Sequence, residues 1–330
     1  MEHAYQKHKI LVLNGSRKRN AFVNVAEIYK PMSAIARCLQ RLHEHLPICG
    51  EEIWYEDWKK EIENYDTVIL FDGLRGPDII KYIHRKNPQI RIVIYYVNKF
   101  SPNGRNHPRN FRHLPCELWS FDKNDCEEHG MKHSRFCYDD MFANEEILAA
   151  YEKGPDPQAE FYDAFFIGVD KNRLKKVIEL KKMLEGYQYR TKIVLKKARQ
   201  QSYKECSLEE LEILTEQGVS YAEVVKMIWQ TKVIIELEDT GQNGLTLRSL
   251  ESLFFKKKLI TDNSEIRSYA FYQPENIFIL GLDKEERLKE FLQSAYQPVA
   301  DEVVQEYTWE RWLDRFYIEL ENVSTKSDLK

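Results

Sequence analysis

Short, uninterrupted apolar runs, separated by segments of helical period, constrain this chain more than any other feature. Lys9–Asn14 (KILVLN), Thr67–Phe71 (TVILF) and Arg91–Val97 (RIVIYYV) are strand-length and apolar at consecutive positions. Strands of that kind must be covered on both faces, which places them in parallel sheets flanked by helices. Apolar residues at Val25, Ile28, Ile35, Leu39 and Leu42 predict a helix within Ala21–His45, and Asp78–Arg85 predicts a second. Glu117–Phe121 reads as a further strand and Asp122–Gly130 as a short helix.

The alternation restarts at Tyr162–Gly168 (YDAFFIG). Lys171–Gly186 then reads as a helix closed by a C-cap-like glycine, and Thr191–Leu195 as a strand. Ser207-x-x-Glu210 and Ser220-x-x-Glu223 match capping boxes and should open helices. Strands follow at Lys232–Leu237, Lys258–Thr261 and Asn276–Leu280, with helices at Leu245–Lys256, Lys284–Ser294 and Trp309–Leu320. The chain of 330 residues therefore reads as two α/β domains, at about 150 residues each. The expected boundaries are a Rossmann-like domain over 1–145, a linker over 146–160 marked by Gly154-Pro155-Asp156-Pro157, a second Rossmann-like domain over 161–305, and a C-terminal helix with a polar tail over 306–330.

Charge narrows the function classes. With 49 Lys+Arg against 53 Asp+Glu, the net charge of −4 gives no footprint for general nucleic-acid binding. No apolar run approaches the roughly 20 residues that span a bilayer. The first residues, MEHAYQKHK, contain no apolar signal core, and six cysteines are too sparse for a disulfide scaffold, so a cytoplasmic location is expected. Lys181-Lys182, Lys196-Lys197 and Lys256-Lys257-Lys258 are basic clusters that could meet the inner face of a membrane or simply be solvated.

In doubly wound sheets ligands bind beyond the carboxyl ends of the strands. Two loops in the second domain qualify. Gly168-Val169-Asp170-Lys171-Asn172-Arg173 sets Lys171 and Arg173 at a helix start, where cations and backbone amides suit a diphosphate; an ordinary surface pair is the alternative. The stretch Asp239–Glu251 is more specific. Gly241 and Gly244 allow a tight turn, Gln242 and Asn243 lie between them, Thr246 and Arg248 fall in the first helical turn, and Glu251 is one turn beyond Arg248. A carboxylate there can bind ribose hydroxyls while the arginine and backbone bind phosphate; alternatively Glu251 pairs with Arg248 on a solvated face.

The stretch GQNGLTLRSLESLFFKKKLITDN (Gly241–Asn263) resembles the nucleotide-sugar signature of GT-B glycosyltransferases. With FFIGVDKNR (Phe165–Arg173) and YAFYQPENIFIL (Tyr269–Leu280), it is similar more narrowly to bacterial lipopolysaccharide and capsular polysaccharide biosynthesis proteins. The likeness covers most of the second domain and, more faintly, YDTVILFD (Tyr65–Asp72) and WSFDKNDC (Trp119–Cys126). It implies two Rossmann-like domains facing a cleft, with the C-terminal helix crossing back to the first. It also implies that Glu251 binds ribose and that Lys171 and Arg173 bind the diphosphate. Many retaining GT-B enzymes carry a further glutamate upstream; Asn243 stands near where it would fall, so the resemblance assigns no stereochemistry.

The expected function is therefore glycosyl transfer from a nucleotide-sugar donor to a glycan or lipid-linked acceptor in bacterial surface polysaccharide synthesis. A non-catalytic nucleotide-binding scaffold protein is the alternative. Asp72, at the end of a first-domain strand, is the candidate base for the acceptor hydroxyl, or a turn-forming aspartate. No Asp-x-Asp motif is present, so neither metal nor cofactor is expected. Cys126, His129, His133 and Cys137 carry soft ligands at a spacing unlike that of zinc fingers. The loop Asn98–His113, with Lys99, Arg105, His107, Arg109, Arg112 and His113, could grip an acidic acceptor or be a solvated surface.

Overall fold

The computed structural model of the chain describes residues 3–15, 19–45, 50–71, 74, 76–98, 100–138, 145–198, 201–238 and 244–327. It divides into two compact units, Met1–Ala143 with Thr308–Lys330, and Asn144–Tyr307.

The first unit runs β1 (Ile10–Leu13), β2 (Val23–Ala26), α1 (Ala34–His45), β3 (Thr67–Phe71), α2 (Asp78–Lys86), β4 (Arg91–Tyr96), β5 (Glu117–Ser120), α3 (Lys123–His129) and β6 (Lys132–His133). The six strands form one parallel sheet in the order β2-β1-β3-β4-β5-β6, with Val12 level with Val25 on one side and Ile69 on the other. Strand β2 departs from the sequence expectation, which put a helix there. Asn20 explains it locally: its side chain accepts hydrogen bonds from the amides of Phe22 (2.8 Å) and Val23 (2.9 Å), turning the chain into an edge strand whose β-branched Val23 and Val25 are buried. Pro31 then delays the helix, which begins only at Ala34.

A second departure concerns α1. Its apolar positions do not join the core: Ile35, Leu39 and Leu42 are 75%, 53% and 57% exposed, and among the described side chains of the helix the fully buried one is Gln40. Trp58 and Ile62, from the short 3-10 turns that precede β3, and Tyr55, which bridges to Tyr29 just before them, belong to the core cluster in its place.

The second unit runs α4 (Glu145–Lys153), β7 (Tyr162–Val169), α5 (Leu174–Gly186), β8 (Thr191–Lys196), α6 (Leu208–Glu212), β9 (Leu214–Thr215), α7 (Tyr221–Trp229), β10 (Thr231–Glu236), α8 (Leu247–Phe254), β11 (Lys258–Thr261), β12 (Ile277–Ile279), α9 (Glu286–Gln293) and α10 (Asp301–Gln305). Its sheet is also parallel, in the order β12-β11-β10-β7-β8-β9. Both capping boxes are present, at Ser207 with Glu210 and at Ser220 with Glu223. Residues 146–160, read as linker, carry α4. Its Tyr151 ring meets Trp229 at 5.8 Å and Phe255 at 5.1 Å, within this unit.

Two members of the Lys256-Lys257-Lys258 cluster are not surface cations. Lys257 donates to the carbonyls of Trp229 (3.3 Å) and Thr231 (2.7 Å); Lys258 donates to Ser294 Oγ at 2.6 Å and to the Phe291 carbonyl. Burial lowers both ammonium groups to about 8.

Helix α11 (Trp309–Ser327) belongs to the first unit, as the fold expectation required. Trp309, Trp312, Leu313, Phe316 and Tyr317 are buried against Ile69, Phe71, Val93, Tyr95 and Trp119 of that sheet. The Trp312 ring stacks on Phe71 at 5.5 Å and meets Tyr95 edge-on at 4.9 Å. Asp314 ties in the N-terminal segment, accepting from the Tyr5 amide at 3.2 Å and pairing with His3 Nδ1 at 2.7 Å. The side chain of Leu320 lies outside the described residues.

Candidate functional site

The order of the second sheet locates the site. Strand β7 has β8, its successor, on one side and β10 on the other, so the chain reverses direction across the sheet between β7 and β10. Loops leaving the carboxyl ends of two such strands diverge to opposite faces and leave room for a ligand.

The turn after β7 is built by its own residues. Buried Asp170 accepts from the amides of Arg173 (2.9 Å) and Leu174 (3.1 Å), holding the first turn of α5, and Asn172 takes a left-handed φ of 64° to close it. Arg173 folds back. Its Nη2 donates to the Val169 carbonyl at 2.8 Å and its Nη1 to the Leu237 carbonyl just past β10, with the guanidinium 5.5 Å from the Phe166 ring centre. This explains the glycine in FFIGVDKNR: a Cβ on Gly168 would stand 2.7 Å from Arg173 Nη2. Arg173 thus braces the two turns across the reversal point, while Lys171 is exposed. A cavity of about 500 Å³ opens beside the same turn, lined by Asp170, Asn172, Gln201, Tyr203 and Cys206 among others.

Across from it lies the start of α8. Thr246 is the N-cap, accepting from the Arg248 amide at 3.0 Å. Gly244, at φ 118°, presents its carbonyl to Asn263 Nδ2 at 3.0 Å. Glu251 is fully buried, not on a solvated face: Tyr221 Oη donates to Oε1 at 2.7 Å and Arg248 Nη1 to Oε2. Arg248 itself stays 19% exposed. Burial pushes the Glu251 carboxyl above the usual carboxylate range, against the opposing pull of Arg248 and Tyr221.

A second buried carboxylate stands next to it. Glu236, at the end of β10, accepts from Ser249 Oγ (2.8 and 3.0 Å), Thr261 Oγ1 (2.7 Å) and Thr246 Oγ1, and burial raises it as well. Neither Glu236 nor Tyr221 stood out in the sequence. Glu236 has a signal in retrospect, a lone carboxylate in an apolar strand (KVIIEL) before a glycine-rich loop. Tyr221 has none, since it is 30 positions from Glu251. The KKLITDN motif is accounted for by Thr261 on Glu236, Asn263 on Gly244, and Asp262 accepting from the Glu238 amide at 2.8 Å.

The structure therefore brings Gly244, Thr246, Arg248 and Glu251 to the ends of β10 and β11, and Arg173 braces the β7 turn to the end of β10. Gln242, Asn243 and Asp72 lie outside the described residues.

No family model and no curated protein sequence matches the chain. Solved structures do. AviGT4, a glycosyltransferase involved in avilamycin A biosynthesis, aligns with a TM-score of 0.54 and 14% identity over 96% of this chain and 98% of its own. The chain has the GT-B fold. Looser matches are the sucrose-phosphate synthase of Thermosynechococcus elongatus (TM-score 0.47, 9% identity, 94% of this chain and 85% of that one) and the UDP-GlcNAc 2-epimerase of Methanocaldococcus jannaschii (0.41, 14%, 92% and 86%). Neither carries weight for the fold or the chemistry.

Two other sequence candidates resolve differently within this GT-B fold. Among the described residues no group of three or more His, Cys, Asp or Glu side chains is placed to hold a metal ion. Cys126 Sγ donates to the carbonyls of Ser120 and Lys132, His133 Nε2 contacts the Phe121 carbonyl at 3.1 Å, and His129 packs its ring on Phe100 and His107. In the loop after β4, Arg112 donates to the carbonyl of His129, so it caps the C-terminus of α3. Lys99 lies outside the described residues; Arg109 and His113 are exposed.

Proposed function

We propose that this protein is a cytoplasmic glycosyltransferase that moves a sugar from a nucleotide-sugar donor to a glycan or lipid-linked acceptor in bacterial surface polysaccharide synthesis, without a metal. One observation carries the reading. A fully buried glutamate, Glu251, sits one turn into α8 at the ligand edge of the sheet, held by one tyrosine and one partly exposed arginine. A carboxylate whose pKa burial raises, at such an edge, is the mark of a functional group more than of a stabilising one. Each carboxylate oxygen accepts more than one hydrogen bond, so ribose hydroxyls can join Tyr221 at Glu251. Arg248, the exposed partner, turns to the diphosphate. Lys171 and the N-terminal amides of α8 add positive potential where charge develops on the leaving group. Arg173 holds the β7 turn in place for the same diphosphate. Asp72 takes the proton of the acceptor hydroxyl.

Titration calorimetry tests the donor site. Glu251→Ala should weaken a nucleoside diphosphate and its free nucleoside alike, by about ten- to a hundredfold, the size of the loss when a buried acceptor is removed. Lys171→Ala should weaken the diphosphate and leave the nucleoside unchanged. UDP, GDP, CDP and dTDP with their nucleosides cover the bases. Parent-like binding by both variants removes the site from α8. Sugar transfer or hydrolysis with the matching nucleotide-sugar then separates an enzyme from a binding scaffold.

A further inference from the structure

Glu236 sits where a carboxylate is hard to keep. Its side chain is 2% exposed at the end of β10, and its partners are the hydroxyls of Thr246, Ser249 and Thr261; among the described residues no ammonium or guanidinium pairs with it. Burying a carboxylate without a cation carries a large penalty. Thr246 is the N-cap of α8 and Ser249 lies in its first turn, so Glu236 stands at the positive end of that helix, which steadies a negative charge. The donor reading brings a diphosphate to the same end. The charged groups around Glu236 are committed elsewhere. Arg248 pairs with Glu251, which Tyr221 of α7 also holds; Asp262, the residue after Thr261, pairs with Lys176 of α5 at 2.5 Å; and Arg173 donates to the carbonyls of Val169 and Leu237.

The hydroxyls around Glu236 suit two protonation states. Thr246 Oγ1 already accepts from the Arg248 amide at 3.0 Å, and Thr261 Oγ1 from the Asn263 amide at 3.0 Å, so both direct their protons at the Glu236 carboxyl in either state. Ser249 Oγ reaches both carboxyl oxygens, at 2.8 and 3.0 Å, and among the described residues it accepts from no backbone amide. It donates to a carboxylate and, by rotating, accepts from a carboxylic acid, so neither state leaves a buried group unpaired. We propose that Glu236 faces the start of α8 as a carboxylate in the free protein and takes up a proton from solvent when the diphosphate of a nucleotide docks there. The helix end then serves the diphosphate alone. Burial favours the acid form beforehand, and the charge of Asp262 acts in the same direction; a diphosphate alongside adds to both. This proposal rests on the donor reading of α8.

Calorimetry of the full chain with UDP, GDP, CDP and dTDP counts the proton. At pH 7.5, in HEPES and in Tris, the change of observed enthalpy with the ionisation enthalpy of the buffer gives the protons taken up. The terminal phosphate of the nucleotide, with a second pKa of about 6, is already ionised there. The parent should take up a large part of one proton, and its affinity should fall by up to about tenfold per pH unit above 7. The matching nucleoside should bind without uptake, since ribose hydroxyls donating to Glu251 favour its ionised form. Glu236→Gln imitates the acid, its amide donating to Ser249. It should bind the nucleotide without uptake, with an affinity that stays flat from pH 7 to 8.5 and exceeds the parent's at the upper end. Thr261→Val removes a hydroxyl that donates to the carboxylate, so it favours the acid in the free chain and should reduce the uptake. Binding by the parent without uptake overturns this proposal and leaves the donor reading standing, as does uptake that persists in Glu236→Gln. If Glu236→Gln loses the nucleoside as well, Thr261→Val decides, and uptake equal to the parent's overturns the proposal. Absence of binding by all four nucleotides overturns the donor reading and this proposal with it.

Discussion

The buried carboxylate at Glu251 makes an unusual prediction about stability. Two replacements separate its charge from its hydrogen bonds. Glu251→Ala leaves Tyr221 Oη and the Arg248 guanidinium without the acceptor they now share. Removing one partner of a buried ion pair costs about 3–5 kcal/mol; because Arg248 is 19% exposed and can turn to water, the low end, about 3 kcal/mol, is expected. Glu251→Gln keeps the shape. Its carbonyl accepts from Arg248, and its amide donates to a Tyr221 hydroxyl that rotates to receive it. Burial already favours the uncharged carboxyl here, so a neutral isostere should lie within about 1 kcal/mol of the parent at neutral pH, or exceed it.

The pH dependence follows with a definite sign. A raised carboxyl pKa means that the folded chain holds a proton which the unfolded chain has lost. Stability therefore falls as pH rises from the ordinary value of 4.5 through the raised one, and Glu251→Gln removes that fall. The advantage of the glutamine variant should grow with pH across that window. Five of the six tryptophans belong to the first unit and Trp229 alone to the second, so with 5-fluorotryptophan the ¹⁹F resonance of Trp229 reports the second unit during a urea titration. If Glu251→Gln costs as much as Glu251→Ala, the ionised carboxylate is a net stabiliser and the reasoning fails.

Other expectations follow from the same structure. Trp312→Ala should destabilise the first unit by about 3–5 kcal/mol, read by bulk tryptophan fluorescence in denaturant, because the ring is fully buried between Phe71, Tyr95 and Phe316; a loss under 1 kcal/mol would mean that α11 contributes little to that core. Gly168→Ala should cost about 1–3 kcal/mol by displacing Arg173 from the Val169 and Leu237 carbonyls, and should weaken a nucleoside diphosphate in calorimetry; an unchanged melt would show that the brace shifts freely. Lys258, lowered to about 8, binds its proton less well folded than unfolded, so its contribution to stability rises from pH 8 towards 10.5; Lys258→Met should flatten that rise in melts taken across the range.

Much of this molecule is legible from residues close together in the chain. Consecutive apolar residues at Thr67–Phe71 and Arg91–Val97 require cover on both faces, and that alone implies parallel sheets. Ser207 and Ser220 cap helices with glutamates three positions away, an interaction completed within one turn. The surplus of aromatic residues on one side of α11 announces that the helix needs a surface to cover. Other features depended on which surfaces meet. The spacing of Ile35, Leu39 and Leu42 is a correct helical period, but period does not say whether the stripe faces the core, and there Tyr55, Trp58 and Ile62 had taken the place. The pairing of Arg248 with Glu251 is visible in their spacing, but not its burial, which comes with Tyr221 of α7 laid across it. Glu236 gathers hydroxyls from Thr246, Ser249 and Thr261, on two different elements, into a network that no local pattern contains. Periodicity and capping are settled over a few residues of backbone; burial, and with it the protonation and reach of a carboxylate, is settled only when distant segments close over it.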